Sequence, residues 1–240
     1  MFFLLNLGMN VLFIYILAAL LPAIILMRYI YSKDTYEKEP ASLLWSCVLN
    51  GVLAALVSII LEMIGTSIVG SFVDQNSETY SIVTAFLVVA VVEEGTKFFF
   101  NYRRTWRDPN FNYTFDAIVY STFTSLGFAA FENIEYVFQY GLSVALPRAV
   151  LSVPGHCGFA VVFGYFYGRA KTAELNGDTS GRTANLIAGY VSAVLLHGFY
   201  DSCAMINTAT SNVLFVIFVI VMYIVIIHLI RKESRDNTYV

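Results

Sequence analysis

The sequence predicts an all-α membrane protein, a polytopic bundle of about seven transmembrane helices that forms one domain over residues 1–240. Hydrophobic residues make up 58% of the chain and charged residues only 13%, with a mean hydropathy of +0.69. This composition is too apolar for an ordinary soluble domain. Apolar stretches of roughly 20 residues, enough to cross ~30 Å of hydrocarbon, recur along the chain, and basic residues cluster in alternate gaps between them.

Seven apolar stretches, which we number one to seven, are predicted to be membrane spans: 7–30, 41–64, 80–101, 113–137, 154–172, 184–206 and 211–230. Between spans four and five, residues 139–153 are only moderately polar. A segment of this kind is typical of a short helix that lies at the membrane interface or re-enters the membrane. We therefore expect one extra helix there, outside the count of seven.

The basic residues predict the orientation of the bundle. Arg148 alone lies on the side of the N-terminus. The other thirteen of the fourteen Lys and Arg residues fall in the gaps after spans one, three and five and in the tail. Loops rich in Lys and Arg stay in the cytoplasm. The prediction is a multi-pass protein of the cell membrane with its N-terminus outside and its C-terminus in the cytoplasm.

Charge and cysteine content argue against several other classes of protein. The net charge of −3 gives no indication of a nucleic-acid partner. Cys47, Cys157 and Cys203 lie in apolar stretches without CxxC spacing, so neither a disulfide framework nor a cysteine zinc site is predicted. The N-terminus lacks the basic region of a cleavable signal peptide, and its apolar run is long enough to remain as the first span.

Span three contains the most unusual feature of the sequence, the charged residues Glu93, Glu94 and Lys97. A charged group inside a membrane helix costs at least ~2.5 kcal/mol, so three of them are not expected in a helix that only anchors the chain. Lys97 follows Glu93 by four residues and Glu94 by three, so it can reach either carboxylate. The carboxylates point about 100° apart around the helix. We expect Lys97 to hold one of them while the other acts in a membrane active site.

Three further spans carry ionisable residues that would converge with this segment. Glu132 lies toward the outer end of span four, and His156 follows Pro154-Gly155 at the start of span five. His197 and Asp201 in span six are four residues apart and share a helix face. At about 1.5 Å per residue all of them fall in the middle to outer half of the membrane, where charged groups must face the bundle interior. A purely structural role, linking helices, is the alternative for each.

His156 can approach Glu93 only if its helix begins below the outer membrane surface. We therefore expect Pro154-Gly155 to lie below that surface and the His156 ring to point toward span three.

The available groups favour hydrolysis by activated water. The chain has no HExxH or G-x-S-x-G motif and no Ser or Cys paired with a base at a known spacing. A carboxylate could instead take a proton from water while a His stabilises the oxyanion. Alternatively, His156, His197 and Glu93 could hold Zn²⁺ and leave an open position for water. The residues alone do not distinguish these two routes.

Several motifs together resemble the PrsW family of intramembrane proteases. Glu93-Glu94-Gly95-Thr96-Lys97 resembles its EExxK motif. The family's remaining motifs are similar, in order and spacing, to Phe128-x-x-x-Glu132, to His156 after Pro154-Gly155 and to His197-x-x-x-Asp201. Lys33 to Pro40 is similar to the acidic loop after the family's first span. The resemblance extends from about residue 30 to residue 205.

This resemblance implies a membrane-embedded peptidase, distantly similar to the CAAX-prenyl endopeptidases. In those relatives the first Glu of the motif, here Glu93, activates water with help from the second motif, where this chain has Glu132 in place of His. Such bacterial proteins are associated with the first, extracytoplasmic cut of a membrane-anchored anti-sigma factor in regulated proteolysis. The implied partners are a single-span membrane protein as substrate and the membrane lipid.

Two other classes of function use similar residues. Glu, Asp and His inside spans also mark ion or proton paths in transporters and channels. No halves of this chain resemble each other, whereas internal repeats are common in secondary carriers. A scaffold that holds a partner helix without catalysis is the third alternative. Cleavage of a single-span substrate by the purified protein would distinguish the peptidase from both.

Overall fold

The computed structural model describes residues 2–240, with side chains described from Leu12 onward. These residues form helices and contain no strand; Tyr113 and Tyr239 form an isolated bridge. The predicted all-α class is thus confirmed. The α-helices are α1 (Phe2–Lys33), α2 (Ala41–Phe72), α3 (Glu78–Val83), α4 (Val91–Thr105), α5 (Asp116–Tyr140), α6 (Ala145–Val150), α7 (Ser152–Leu175), α8 (Thr179–Ile206) and α9 (Ala209–Arg235).

Span three is divided between α3, a π-helical segment Thr84–Ala90 and α4, which follow one another without a break. The segment 139–153, predicted as an extra helix, contains a 3₁₀ turn (Leu142–Val144) and α6. Within the described part of the chain, four helical segments are long and apolar enough to cross a membrane: Leu12–Lys33, Ala41–Phe72, Leu142–Leu175 and Ala209–Arg235. The structure thus supports a helical membrane protein and leaves the count of seven spans as a prediction.

Local sequence explains where several helices begin and end. The Ser77 hydroxyl accepts a hydrogen bond from Tyr80 N and caps α3, while Thr208 and Ser211 form a reciprocal capping box at α9. Helix α5 ends at Gly141, whose φ of 81° is favourable only for a residue without a side chain. The turn that follows leads into the short helices before α7.

Helix α5 lies at the centre of the bundle, and its residues from Asp116 to Ala130 are buried. Glycines allow its neighbours to pack closely. A Cβ on Gly51 of α2 would lie 1.9 Å from Thr124 O, and a Cβ on Gly164 of α7 would lie 2.7 Å from Ile118 Cα. Small residues serve this purpose where helices pack in lipid. The close approach brings the polar residues of α5 toward α2 and α7.

The outer faces of α1, α2 and α9 are strongly apolar and exposed. Examples are Ile60 (62% exposed) and Ile64 (55%) on α2, and Ile217 (54%) and Ile224 (65%) on α9. Continuous apolar surface of this kind is rare on soluble monomers and marks contact with lipid or a partner. It agrees with a bundle that is surrounded by lipid.

The loops after α1, α4 and α7 and the C-terminal segment lie at the same end of the bundle. Side-chain hydrogen bonds join them: Asn112 to Glu37 (3.2 Å), Trp106 to Glu174 (3.2 Å) and Thr114 to Asn237 (3.1 Å). Most basic residues lie in these loops or in the helix ends next to them. Lys97 is an exception, because it is buried inside the bundle in contact with Glu93 and Glu94.

Candidate active site

Lys97 lies at the centre of the buried charged residues. Its Nζ lies 3.0 Å from Glu93 Oε2 and 2.9 Å from Glu94 Oε1, and it lies 4.0 Å from the centroid of the Phe128 ring. We expected Lys97 to hold one carboxylate, but it contacts both. The reason is that a long, flexible side chain can reach both the i−4 and i−3 positions even though the carboxylates leave the helix in different directions.

His156 completes the set of Lys97 contacts. Its Nδ1 lies 3.2 Å from Lys97 Nζ, and its Nε2 lies 3.0 Å from Glu132 Oε2. An ammonium can only donate, so Nδ1 accepts from Lys97 and Nε2 carries the proton that is donated to Glu132. The three N–H groups of Lys97 therefore reach two carboxylates and one imidazole. The His156 ring is buried inside the bundle, beside α4.

His197 connects α8 to the same carboxylates. Its Nδ1 lies 2.8 Å from Glu94 Oε1, and its Nε2 lies 3.1 Å from Asp201 Oδ2 and 3.9 Å from Glu93 Oε2. The ring stacks on Phe159 with centroids 4.9 Å apart. Stacking and the hydrogen bonds hold the orientation of the imidazole. The i,i+4 relationship of His197 and Asp201 is thus a direct contact.

Glu93 and Glu94 have different surroundings despite being adjacent in sequence. Glu94 is bonded to both Lys97 and His197, and it faces a small internal space beside Asn101. Glu93 is bonded to Lys97 and lies on the wall of a large cavity. Of the two carboxylates, Glu93 is therefore the one that water or a substrate in this cavity can contact.

The large cavity has a volume of about 860 Å³ and is lined by α2, α3, α4, α5, α7, α8 and α9, together with α6. Its ionisable lining residues include Glu62, Glu93, Glu132, His156, His197 and Asp201. Apolar side chains such as Met63, Phe131, Leu151 and Phe215 form the rest of the wall. Concave sites of this size, apolar with a few convergent polar groups, are typical of ligand and substrate sites.

Two further charged residues of the cavity were missed by the sequence analysis. Arg148, which we had read only as an outer basic residue, places Nη2 2.8 Å from Glu132 Oε2, and its Nε donates to Asn133 Oδ1 at 2.8 Å. Glu62 lies in the 32-residue apolar helix α2, and its Oε1 has no hydrogen-bond partner among the described residues. A lone charge in an apolar segment was the available signal in both cases.

All seven predicted site residues therefore lie together, although they come from four different helices. One ligand atom from each of Glu93, Glu94, His156 and His197 lies within 4.8 Å of the others. Glu132 contacts His156, Asp201 contacts His197, and Lys97 contacts the two carboxylates.

Comparison with known proteins then identifies the family. Residues 39–229 match the model of a family described as PrsW family intramembrane metalloprotease. The chain belongs to the PrsW family. It is 31% identical over 225 residues to Protease PrsW of Clostridioides difficile strain 630, an alignment that covers 92% of each chain. No solved structure matches it.

Other PrsW proteins are similar over most of their length. Protease PrsW of Geobacillus kaustophilus is 35% identical over 186 residues, which cover 77% of this chain and 76% of that one. Protease PrsW of Bacillus subtilis strain 168 is 30% identical over 200 residues, with 83% and 85% covered. The resemblance inferred from the motifs is thus confirmed, and the protein is a membrane protease, a hydrolase.

The PrsW family is described as metalloproteases, and the residues of this site fit a metal in their chemistry. Imidazole nitrogens and carboxylate oxygens are the ligands that catalytic Zn²⁺ prefers. Asp201 behind His197 corresponds to the carboxylate that commonly orients a metal-binding His. Lys97 is the competing feature, because its ammonium contacts Glu93, Glu94 and His156 at 2.9–3.2 Å. A metal ion and this ammonium would share the same donor atoms.

Proposed function

We propose that this PrsW protein is an intramembrane endopeptidase that makes the extracytoplasmic first cut in a single-span membrane protein, an anti-sigma factor or similar regulator. The observation that carries the proposal is the position of Glu93 on the wall of the 860 Å³ cavity, beside both histidines. The ring centroids of His156 and His197 are 5.2 Å apart, so groups from two further helices border the same reaction volume.

We propose further that seven segments cross the membrane, namely α1, α2, α3 with α4, α5, α7, α8 and α9. Three of these segments are less apolar than the other four, namely α3 with α4, α5 and α8. They carry polar residues that face the cavity or the bundle interior, and these residues lower their mean hydropathy. The loops after α1, α4 and α7 lie at the end of the bundle that carries the C-terminus, as alternating spans require. The Arg and Lys residues of these loops and of the helix ends next to them support a cytoplasmic location for this end.

Glu93 is proposed as the general base. A water molecule in the cavity gives a proton to the Glu93 carboxylate as it attacks the scissile carbonyl carbon. The same carboxyl group then delivers the proton to the leaving amine, so Glu93 ends the reaction ionised. Lys97 holds the carboxylate in place through the 3.0 Å contact to Oε2. Glu94, bound to Lys97 and His197, serves to position both groups.

The tetrahedral intermediate carries a new negative charge on the former carbonyl oxygen. Arg148 and His156 both border the cavity. The N–H of His156 is donated to Glu132, so the donor available to the oxyanion is the Arg148 guanidinium, which has N–H groups beyond those that contact Glu132 and Asn133. Donors that are held in place before the reaction stabilise such an oxyanion most effectively. Glu132 bonds to both side chains and keeps them oriented. In the alternative metal route, Zn²⁺ held by His156, His197 and Glu93 would polarise the carbonyl and acidify water, and Glu93 would then be a ligand rather than the base.

The substrate must expose a peptide bond inside the membrane. In a transmembrane helix every backbone group is hydrogen-bonded within the helix, and the cost of breaking those bonds in lipid is high. A cavity that is lined by several polar side chains compensates for part of this cost. We therefore propose that the substrate segment unwinds locally within the cavity, with its apolar side chains against residues such as Met63 and Phe215.

The test is reconstitution of the purified protein with single-span substrates, including anti-sigma factors encoded in the same genome. Cleavage on the extracytoplasmic side, located by mass spectrometry, is expected for the wild type and for Glu78→Gln, an exposed carboxylate in the same helical segment. Glu93→Gln should be inactive. Cleavage only on the cytoplasmic side, or no cleavage of any substrate, would contradict the proposal.

The metal is tested in the same assay. Loss of cleavage after dialysis against a chelator, with recovery on addition of Zn²⁺, is the expected result. If protein that contains no metal by elemental analysis is fully active, only the route in which a carboxylate activates water remains.

A further inference from the structure

A second cluster of acidic residues shares no residue with the active site and lies near the end of the bundle that carries the C-terminus. Asp34 and Glu39 belong to the loop between α1 and α2, and Asp116 begins α5. One carboxylate oxygen from each lies within 4.8 Å of the others. All three side chains are buried, with exposures of 0% for Asp34, 4% for Glu39 and 0% for Asp116.

The charges of these carboxylates are not balanced by basic side chains. Among the described residues none of the three forms an ion pair with Lys, Arg or His within 4.0 Å. Lys38 is in the same loop, but its ammonium donates to the backbone oxygens of Tyr31 and Asp34 instead. Three carboxylates gathered without a cation would repel one another strongly in a buried site.

Asp34 provides the independent sign that a ligand is missing. Both of its carboxylate oxygens are buried, and neither has a hydrogen-bond partner among the described residues. Asp116 Oδ1 is likewise buried without a partner, although Oδ2 accepts hydrogen bonds from Asn112 N and Tyr113 N. Glu39 Oε2 accepts one from Tyr120 at 2.6 Å. Unsatisfied buried oxygens are uncommon in folded proteins and call for a partner.

From this geometry we propose that Asp34, Glu39 and Asp116 bind a hard divalent cation of the Ca²⁺ and Mg²⁺ class. Ca²⁺ takes oxygen ligands at about 2.3–2.6 Å, so ligands on opposite sides are about 5 Å apart, which accommodates the observed spacing. Mg²⁺, at about 2.0–2.1 Å, requires a tighter arrangement or intervening water. With no His or Cys among them, the three ligands favour these cations over Zn²⁺.

The cation would connect parts of the chain that are distant in sequence. It would tie the α1–α2 loop to the first turn of α5, the central helix that also carries Glu132. Carboxylates bind a cation in their ionised form, so cation and protons compete for the same oxygens. Binding should therefore release protons and weaken as the pH falls.

The experiment uses the full-length protein in detergent, stripped with a chelator and then titrated with CaCl₂ or MgCl₂ at about pH 8.5, where the carboxyls are ionised. The readout is the thermal unfolding midpoint, which rises with the concentration of a ligand that binds the folded state. A saturable rise is expected with at least one cation, and the ratio of the two affinities distinguishes Ca²⁺ from Mg²⁺.

Variants locate the site. Asp34→Asn and Glu39→Gln keep the side-chain shape but remove one ligand charge, and each should weaken the affinity about tenfold or more. Glu37→Gln, an exposed carboxylate in the same loop, and Glu93→Gln in the active site should bind as the wild type does. No rise with either cation would overturn the proposal, and so would an equal rise in both Asp34→Asn and Glu39→Gln.

Discussion

Arg148 Nη2 lies 2.8 Å from Glu132 Oε2, although Arg148 belongs to the short helix α6 and Glu132 to the central helix α5. The side chain of Arg148 also packs over the Tyr136 ring, with its guanidinium carbon 3.9 Å from the ring centroid. Because Glu132 bonds in turn to His156, the α6 helix is connected to the active site through two consecutive contacts. The segment before α7 is therefore part of the structure that orients the histidine.

We expect Arg148→Gln to lower kcat/KM about ten- to a hundredfold, the effect typical of losing a group that orients an active-site ligand. Arg148→Lys should restore part of the activity, because an ammonium can still pair with Glu132 but cannot also hold Asn133 in the same geometry. The measurement is cleavage of a single-span substrate in detergent. Arg103→Gln, an exposed basic residue at the other end of the bundle, is the control and should act as the wild type does.

Replacing the two adjacent carboxylates should have different consequences. Glu93→Gln should reduce cleavage about a thousandfold, in the range typical of losing a general base, while keeping the unfolding midpoint close to the wild type. Glu94→Gln should lower the midpoint more, because Glu94 contacts both Lys97 and His197. Thermal unfolding and single-turnover cleavage, measured on both variants, provide the comparison. Near wild-type cleavage by Glu93→Gln would falsify its assignment as the base.

Lys97→Met should destabilise the protein. The variant removes the ammonium from two buried carboxylates, and breaking a buried pair in this way costs about 3–5 kcal/mol. We expect a strongly lowered unfolding midpoint and low yield in the membrane. The double variant Lys97→Met/Glu93→Gln should recover part of the stability, because Glu93 loses its 3.0 Å partner in the single variant, whereas Glu94 keeps its contact with His197. Equal stability of the single and double variants would show that the pairing contributes little.

Reporter fusions test the membrane topology. A reporter fused after Ser77 should be located outside the cytoplasm, and one fused after Asn176 should be located inside, because the two positions lie at opposite ends of the bundle. This pattern follows from seven spans and from the basic residues of the alternate loops. Both reporters on the same side, or the reverse pattern, would contradict the topology.

The pH dependence of stability should reflect the acidic cluster when a chelator is present. The Glu39 pKa is raised from 4.5 to about 8 by burial, so the folded protein binds a proton more tightly than the unfolded chain does. Stability then falls as the pH rises from about 4.5 to about 8. Glu39→Gln should flatten this part of the profile, whereas Glu37→Gln should leave it unchanged. Thermal midpoints across this range, in metal-free buffer, measure the effect.

Much of the fold was predictable because each helix encodes its own period and length. The seven apolar stretches correspond to α1, α2, α3 with α4, α5, α7, α8 and α9, and the extra helix predicted within 139–153 is α6. The π-helical segment Thr84–Ala90 was not predicted. Its composition gives no signal for a π-helix, and in the structure the segment packs against α8, where Phe86 lies over Gly198.

The site was predictable where charge was out of place in a membrane segment. Glu93, Glu94, Lys97, Glu132, His156, His197 and Asp201 stand out because ionisable groups in lipid are costly. The contact between His197 and Asp201 also follows directly from helical spacing. Glu62 and Arg148 escaped notice, because a single charge in a long segment carries no pattern that pairs it with a partner.

What the sequence by itself determined is therefore the class of protein, the family and which ionisable residues are candidates for the active site, since all three depend on local composition and spacing. Only the tertiary structure decided which carboxylate faces the cavity, that Lys97 bridges Glu93, Glu94 and His156, and that Asp34 and Glu39 meet Asp116. These relationships depend on how helices rotate and approach one another. Helix rotation and approach result from the packing of distant segments, such as Gly51 against Thr124, and no single stretch of sequence encodes them.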